Sequence, residues 1–134
     1  MKQAGVKKRH AANHELVFAA LRKTARPLTA YELLDRLRSH GVSAPPTVYR
    51  ALDRLIDDGR AHRLESLNAF VACAHPQHGE AAVFAICHGC GTVEELSDSG
   101  VNKRVAEVVR DAKFDLDRAV LELHGHCDDC RGAV

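Results

Sequence analysis

The chain has 134 residues, 46% of them hydrophobic and 28% charged, which suits one compact domain or two small ones. No stretch approaches the roughly 18 apolar residues of a membrane span, and the basic opening of residues 1–10 lacks the apolar core of a secretory signal, so a cytoplasmic protein is expected. The net charge of +1 conceals an asymmetry: residues 1–66 carry 13 Lys/Arg against 7 Asp/Glu, net +6, and residues 67–134 carry 6 against 11, net −5.

A basic first half suits a polyanionic partner, and an acidic second half rich in cysteine suits cations. Lys2, Lys7, Lys8 and Arg9 open the chain as a basic arm, either solvated or resting on phosphate. Leu16, Val17, Ala20 and Leu21 then recur at helical spacing over residues 14–22, and Pro27 closes that region. Thr29 fits an N-cap, with Glu32 three residues on completing a capping box. Ala30, Leu33, Leu34 and Leu37 supply the apolar stripe of this second helix, and Gly41 stops it. Pro45 and Pro46 suit the first turn of a third helix. Its buried face is Val48, Leu52, Leu55 and Ile56; Thr47, Tyr49, Arg50 and Arg54 remain on the open face, and Gly59 ends it. Three short helices with a polar, basic third one describe a helix-turn-helix, whose recognition helix enters the major groove by its N-terminal end. A plain three-helix core with solvated arginines would leave the charge asymmetry unexplained.

Residues 60–65 and 69–73 read as two strands joined by a two-residue turn at Leu67-Asn68, the wing of a winged helix. That register sets His62 opposite Cys73, close enough to chelate. Residues 75–80 are a polar linker. Residues 82–87 and 91–96 are strands joined by a knuckle at Cys87–Cys90, where Gly89 and Gly91 allow tight folding around a metal. Asp98 or Ser99 caps a helix lined by Val101, Val105, Val108 and Val109. Residues 115–117 turn, and a last strand over 118–124 delivers Cys127 and Cys130. So small a core needs a metal or a partner chain.

Five cysteines cannot all pair as disulfides, and in a reducing compartment clustered thiols bind metal. Cys87, Cys90, Cys127 and Cys130, two C-x-x-C pairs, supply four thiolates for one closed tetrahedral zinc site. Cys73, His75, His78 and Glu80 remain over, the right donor types for a second, weaker site.

The run Pro45-Pro46-Thr47-Val48-Tyr49-Arg50-Ala51-Leu52, then Glu65-Ser66-Leu67-Asn68 before Val71-Ala72-Cys73, then the two C-x-x-C pairs, resembles the ferric uptake regulator family, most closely its zinc uptake regulator branch. The resemblance covers nearly the whole chain in order. It implies an α+β chain: an N-terminal winged-helix DNA-binding domain over residues 1–74, a hinge over 75–82, and a small α/β dimerisation domain over 83–134 with a four-cysteine zinc site. It implies a homodimeric, zinc-responsive repressor that binds a double-stranded, inverted-repeat DNA operator and represses zinc-uptake genes, with two Zn2+ per chain, no membrane and no small-molecule substrate. Tyr49 and Arg50 match the family's recognition-helix positions. Cys87, Cys90, Cys127 and Cys130 match its structural zinc site. His62, Cys73 and Glu95 match three regulatory ligands. For the fourth, His78 is taken over His75, with Glu80 also within reach. The histidine run of iron-sensing members is absent, and the soft Cys73 thiolate suits zinc. His88, His124 and His126 match no ligand set and read as structural.

Other readings stand beside this one. An iron- or peroxide-sensing member of the family is one. A small zinc enzyme is another: His78-Gly79-Glu80 before Cys87-x-x-Cys90 resembles a nucleoside deaminase pattern, but the gap is short, no proline precedes Cys87, and the second C-x-x-C has no role there. No enzyme activity is expected. A thiol redox switch that ejects zinc is compatible with zinc sensing, and a zinc-stapled dimerisation module would leave the basic half without a purpose.

Overall fold

This computed structural model describes residues 13–73 and 81–132. The first apolar stripe folds as helix α1 over residues 13–22. Helix α2 (Ala30–Leu37) starts where the capping box puts it. The Glu32 N–H donates to the Thr29 hydroxyl at 3.2 Å, and the Thr29 N–H donates back to the Glu32 carboxylate at 2.9 Å. A turn of 3₁₀ helix, Arg38–His40, follows, and Gly41 ends it at φ 87°, a backbone region in which a Cβ is strained. Helix α3 (Pro45–Asp57) opens on its two prolines, where no intrahelical N–H is needed.

The chain divides into two compact units, residues 1–73 and 74–134. In the first, Val17, Leu21, Leu33, Leu37, Val48, Leu52 and Leu55 form one core. Each such side chain, removed from water, stabilises the fold by about 1.5–3 kcal/mol. On α3 the buried face is Val48, Ala51, Leu52 and Leu55. Ile56, expected among them, is only half-buried, and the smaller Ala51 takes the inner position. Arg60, just past α3, grips Glu15 with two hydrogen bonds of 3.0 and 2.9 Å and lies 4.1 Å over the Phe18 ring, so both charge and stacking fasten it to α1.

The hairpin departs from expectation. Strands β1 (Ala61–Leu64) and β2 (Ala69–Ala72) are shorter, and Glu65, Ser66, Leu67 and Asn68 form a four-residue turn. His62 therefore opposes Val71, and the Cys73 N–H donates to the Arg60 carbonyl at 2.8 Å. The slip is two residues. Phe70 sets it: its N–H and C=O both bond to Leu28, at 2.8 and 3.0 Å, which fixes β2 against the chain ahead of α2. A slip of two keeps every side chain on its face, whereas a slip of one would turn the buried set to solvent. Asn68 sits at φ 48°, as the expected turn chemistry requires, and its side chain accepts from Arg63 at 2.8 Å.

The second unit is a three-stranded sheet in the order β4-β3-β5. Its centre is β3 (Ala82–Cys87), antiparallel to β4 (Val93–Leu96) and parallel to β5 (Val120–Gly125). The parallel pairing needs a crossover, and helix α4 (Ser99–Asp111) supplies it. Asp98 caps α4, accepting from the Gly100 and Val101 N–H groups at 2.7 and 3.3 Å. The turn expected at 115–117 lies earlier. Lys113 adopts φ 54°, and the Lys113 and Phe114 N–H groups return to the Arg110 and Val109 carbonyls, closing the helix with a Schellman motif. No residue of α4 is buried; Val101, Val105 and Val109 are half-covered, and Val108 is 51% exposed.

Candidate metal centre

Sheet order makes the centre. Cys87 ends β3, and the chain turns through the knuckle so that the Gly91 N–H donates to the Cys87 carbonyl at 3.0 Å. β5 runs parallel to β3 and pairs Gly125 with Cys87, so the residues after β5 arrive beside the knuckle. The His88 N–H bonds the Gly125 carbonyl at 2.8 Å and locks that approach. Cys127 and Cys130 then form the second tight turn, with the Cys130 and Arg131 N–H groups donating to the Cys127 carbonyl at 3.1 and 2.8 Å.

The sulfurs of Cys87, Cys90, Cys127 and Cys130 all lie within 4.8 Å of one another, the only such group of donors among the described residues. A zinc ion bound at about 2.3 Å by four thiolates would hold its sulfurs about 3.8 Å apart. The Cys90 and Cys127 sulfurs are 3.8 Å apart, so the donor set fits the ion in type, number and spacing. Four thiolates complete a tetrahedral shell and leave no position for a reacting water.

The protein also prepares the sulfurs electrostatically. Cys87 Sγ accepts N–H groups from Cys127 and Gly89 at 3.3 Å and from Cys90 at 3.5 Å. These bonds, that of Cys127 first, pull the Cys87 thiol down to about 5. The Thr92 hydroxyl, 2.5 Å from Cys90 Sγ, lowers the Cys90 thiol. Hydrogen bonding to the Cys127 and Cys87 sulfurs pushes the Cys130 thiol up to about 12. Hydrogen bonding thus favours the thiolate at Cys87 and opposes it at Cys130, and a bound cation would favour the thiolate form at all four sulfurs.

Two members of the centre escaped the sequence reading in part. Thr92 was not singled out, although a hydroxyl two residues past a C-x-x-C is a readable signal for a donor to sulfur. From the sequence, Gly89 offers only conformational freedom. Its true constraint is space: a Cβ there would lie 2.8 Å from Cys130 Sγ and 2.9 Å from Cys130 Cβ.

The other expected site residues are placed as follows. His62 and Cys73 share one face of the hairpin but stand diagonally rather than opposed, with Cα atoms about 7–8 Å apart for such a pair. Cys73 is buried, and both His62 ring nitrogens are shielded from solvent. Glu95 is half-buried on β4, paired with Phe84. His75, His78 and Glu80 lie outside the described residues. On α3, Tyr49 is 47% exposed and Arg50 and Arg54 are exposed, with Thr47 half-buried in the first turn. Arg54 leans back to Asp58 at 3.9 Å, a weak surface pair. Tyr31, in the first turn of α2, is a further exposed aromatic that the sequence reading did not single out.

A sequence model of the ferric uptake regulator family matches residues 5–124. The zinc uptake regulation protein of Escherichia coli (strain K12) is 42% identical over 107 residues, covering 77% of this chain. The chain spans 61% of the length of that relative. The crystal structure of holo XcZur superposes with a TM-score of 0.78 at 41% identity, covering 90% of this chain and 84% of that one. A zinc uptake regulator complexed with zinc and DNA superposes with a TM-score of 0.81 at 35% identity, covering 90% of this chain and 82% of that one.

Proposed function

Since the chain belongs to the ferric uptake regulator family, we propose that it is a zinc-responsive transcriptional repressor. As a zinc-loaded homodimer it binds an inverted-repeat operator in double-stranded DNA and represses zinc-uptake genes. The observation that carries this reading is the likeness, across 90% of the chain, to a zinc uptake regulator complexed with zinc and DNA. The open face of α3 supports it, since Tyr49, Arg50 and Arg54 are exposed there, side-chain types that a recognition helix uses on base edges and phosphates. The second unit leaves the apolar side chains of Leu96, Val108, Phe114 and Leu123 exposed, and a second copy would cover them. The domains run 1–74 and 83–134, with a hinge over 75–82 whose last residue already opens β3.

Two zinc ions per chain belong to this reading. Cys87, Cys90, Cys127 and Cys130 hold the structural one, which contributes directly to folding. His62, Cys73, His78 and Glu95 hold the regulatory one, with His75 or Glu80 as alternatives to His78. Mixed ligation of that kind releases its ion more readily than four thiolates, as a sensor must. Loading it raises the fraction of molecules competent for DNA, and apparent affinity rises in proportion. A closed four-thiolate shell leaves the structural zinc no open position for catalysis, and the reading assigns the chain no enzyme activity. The protein acts in the cytoplasm, where its DNA and zinc pools are. No described helix is long and apolar enough to cross a membrane.

A zinc titration read out by DNA binding, with zinc counted per chain, tests this. The expected result is specific binding that appears between one and two zinc ions per chain. Binding that follows iron or peroxide instead would move the chain to another branch of the family.

A further inference from the structure

Three imidazoles crowd the outer side of the four-cysteine centre, and the zinc-sensing reading uses none of them. The His88 and His124 rings stack with centroids 5.3 Å apart and planes 17° from parallel. His126 meets His88 edge-on at 6.0 Å. This meeting is built into the backbone. The His88 N–H bonds the carbonyl of Gly125, the residue between His124 and His126, at 2.8 Å. His88 also follows Cys87, and His126 precedes Cys127, so the same metal centre that fastens the knuckle fastens their Cα positions.

We propose that His88, His124 and His126 form an exchangeable site for a borderline divalent cation, with zinc as the natural occupant, on the rim of the four-cysteine centre. Two imidazoles on one tetrahedral zinc, with Zn–N near 2.0–2.1 Å, place their ring centroids about 5 Å apart. The separations of 5.3 and 6.0 Å from His88 to the other two rings are of that scale, although the three ring nitrogens do not all lie within 4.8 Å of one another. In the rotamers seen the rings stack instead of aiming their nitrogens at one point, but His88 and His126 are exposed and His124 keeps 34% of its side chain exposed, so the site would form by rotation about χ1 and χ2. Imidazole donors select zinc, copper or nickel over magnesium or calcium. The surroundings favour a cation. Glu122 lies 3.6 Å from His124 Nε2, placed to orient that ring, and Glu94 and Asp128 line the same cleft of about 270 Å³ as His124 and His126. Three neutral ligands on an open surface bind more weakly than four thiolates, so this ion exchanges while the structural one stays.

The test uses tag-free, full-length protein with its tightly held zinc retained and Cys73 replaced by serine, so that the regulatory site does not contribute. Zinc is titrated by calorimetry, and the imidazole nitrogens are followed by 1H–15N NMR. The expected result is one weak equivalent per chain, with the His88, His124 and His126 ring signals shifting together. His124→Gln should weaken that equivalent at least ~10-fold, since even partners outside the ligand shell are worth that much. His124 lies three residues from Cys127, so the tightly held zinc should remain at one per chain; His126→Gln is the second variant, with the same check. Absence of the weak equivalent, or its survival unchanged in His124→Gln, overturns the proposal. DNA binding in the Cys73-intact protein is measured separately, so failure here and failure of the zinc-sensing reading give different results.

Discussion

Gly89→Ala probes the centre through one methyl group. The added carbon would stand 2.8 Å from Cys130 Sγ and 2.9 Å from Cys130 Cβ. Carbon and its non-bonded neighbours rest at about 3.5–4.0 Å, so the knuckle and the Cys130 turn must separate by about 1 Å. Metal–ligand distances tolerate only about 0.2 Å. The knuckle has little slack, because Cys87 Sγ is held by three N–H groups and the Cys87 carbonyl by Gly91. Cys130 is therefore the ligand that leaves. Loss of a ligand should weaken zinc at least ~100-fold, the upper end of what outer-shell changes cost, or about 2.8 kcal/mol. Chelator competition measures the affinity, and calorimetry should show a lowered melting temperature for the zinc-loaded protein. Gly125→Ala is the control: a Cβ there meets nothing within 4 Å, and its zinc affinity should equal that of the natural chain. Wild-type affinity in Gly89→Ala would mean that the two cysteine turns do not approach as described.

Arg50→Ala should lose specific operator binding in a gel shift, by roughly 1–3 kcal/mol for a bidentate base contact, with zinc content unchanged; retained operator affinity would place the reading surface elsewhere. Cys73→Ser and His62→Ala should each keep one zinc per chain and remain dimeric, yet fail to bind DNA in response to zinc. His78→Ala should behave the same way and His75→Ala should not, so a normal zinc response in Cys73→Ser refutes the regulatory ligand set. The Arg60 hydrogen bonds hold the Glu15 carboxyl below its ordinary value of 4.5, so the folded form is the stronger acid. Its contribution is full above that value and disappears as pH falls through the lower, folded one. Glu15→Gln should therefore melt slightly below the natural chain at pH 7, with the gap closing in acid; a gap that widens in acid contradicts the pairing.

Much of this protein is local, and local structure is legible. The Thr29–Glu32 capping box, the paired prolines of α3 and the Asn68 turn each depend on residues within a few positions of one another. The four thiols were legible as well, because two C-x-x-C pairs state a donor count and a charge whatever the fold between them. Tertiary structure decided the rest. The hairpin register follows from Leu28, some forty residues from Phe70 in sequence, and no turn preference within the hairpin carries that information. The constraint on Gly89 is the approach of Cys130, which exists only because β5 lies parallel to β3. The gathering of His88, His124 and His126 has the same origin. A strand order of β4-β3-β5 brings together residues more than thirty positions apart, and that order is set by which sheet edge the α4 crossover reaches, a choice made by packing after the local elements form.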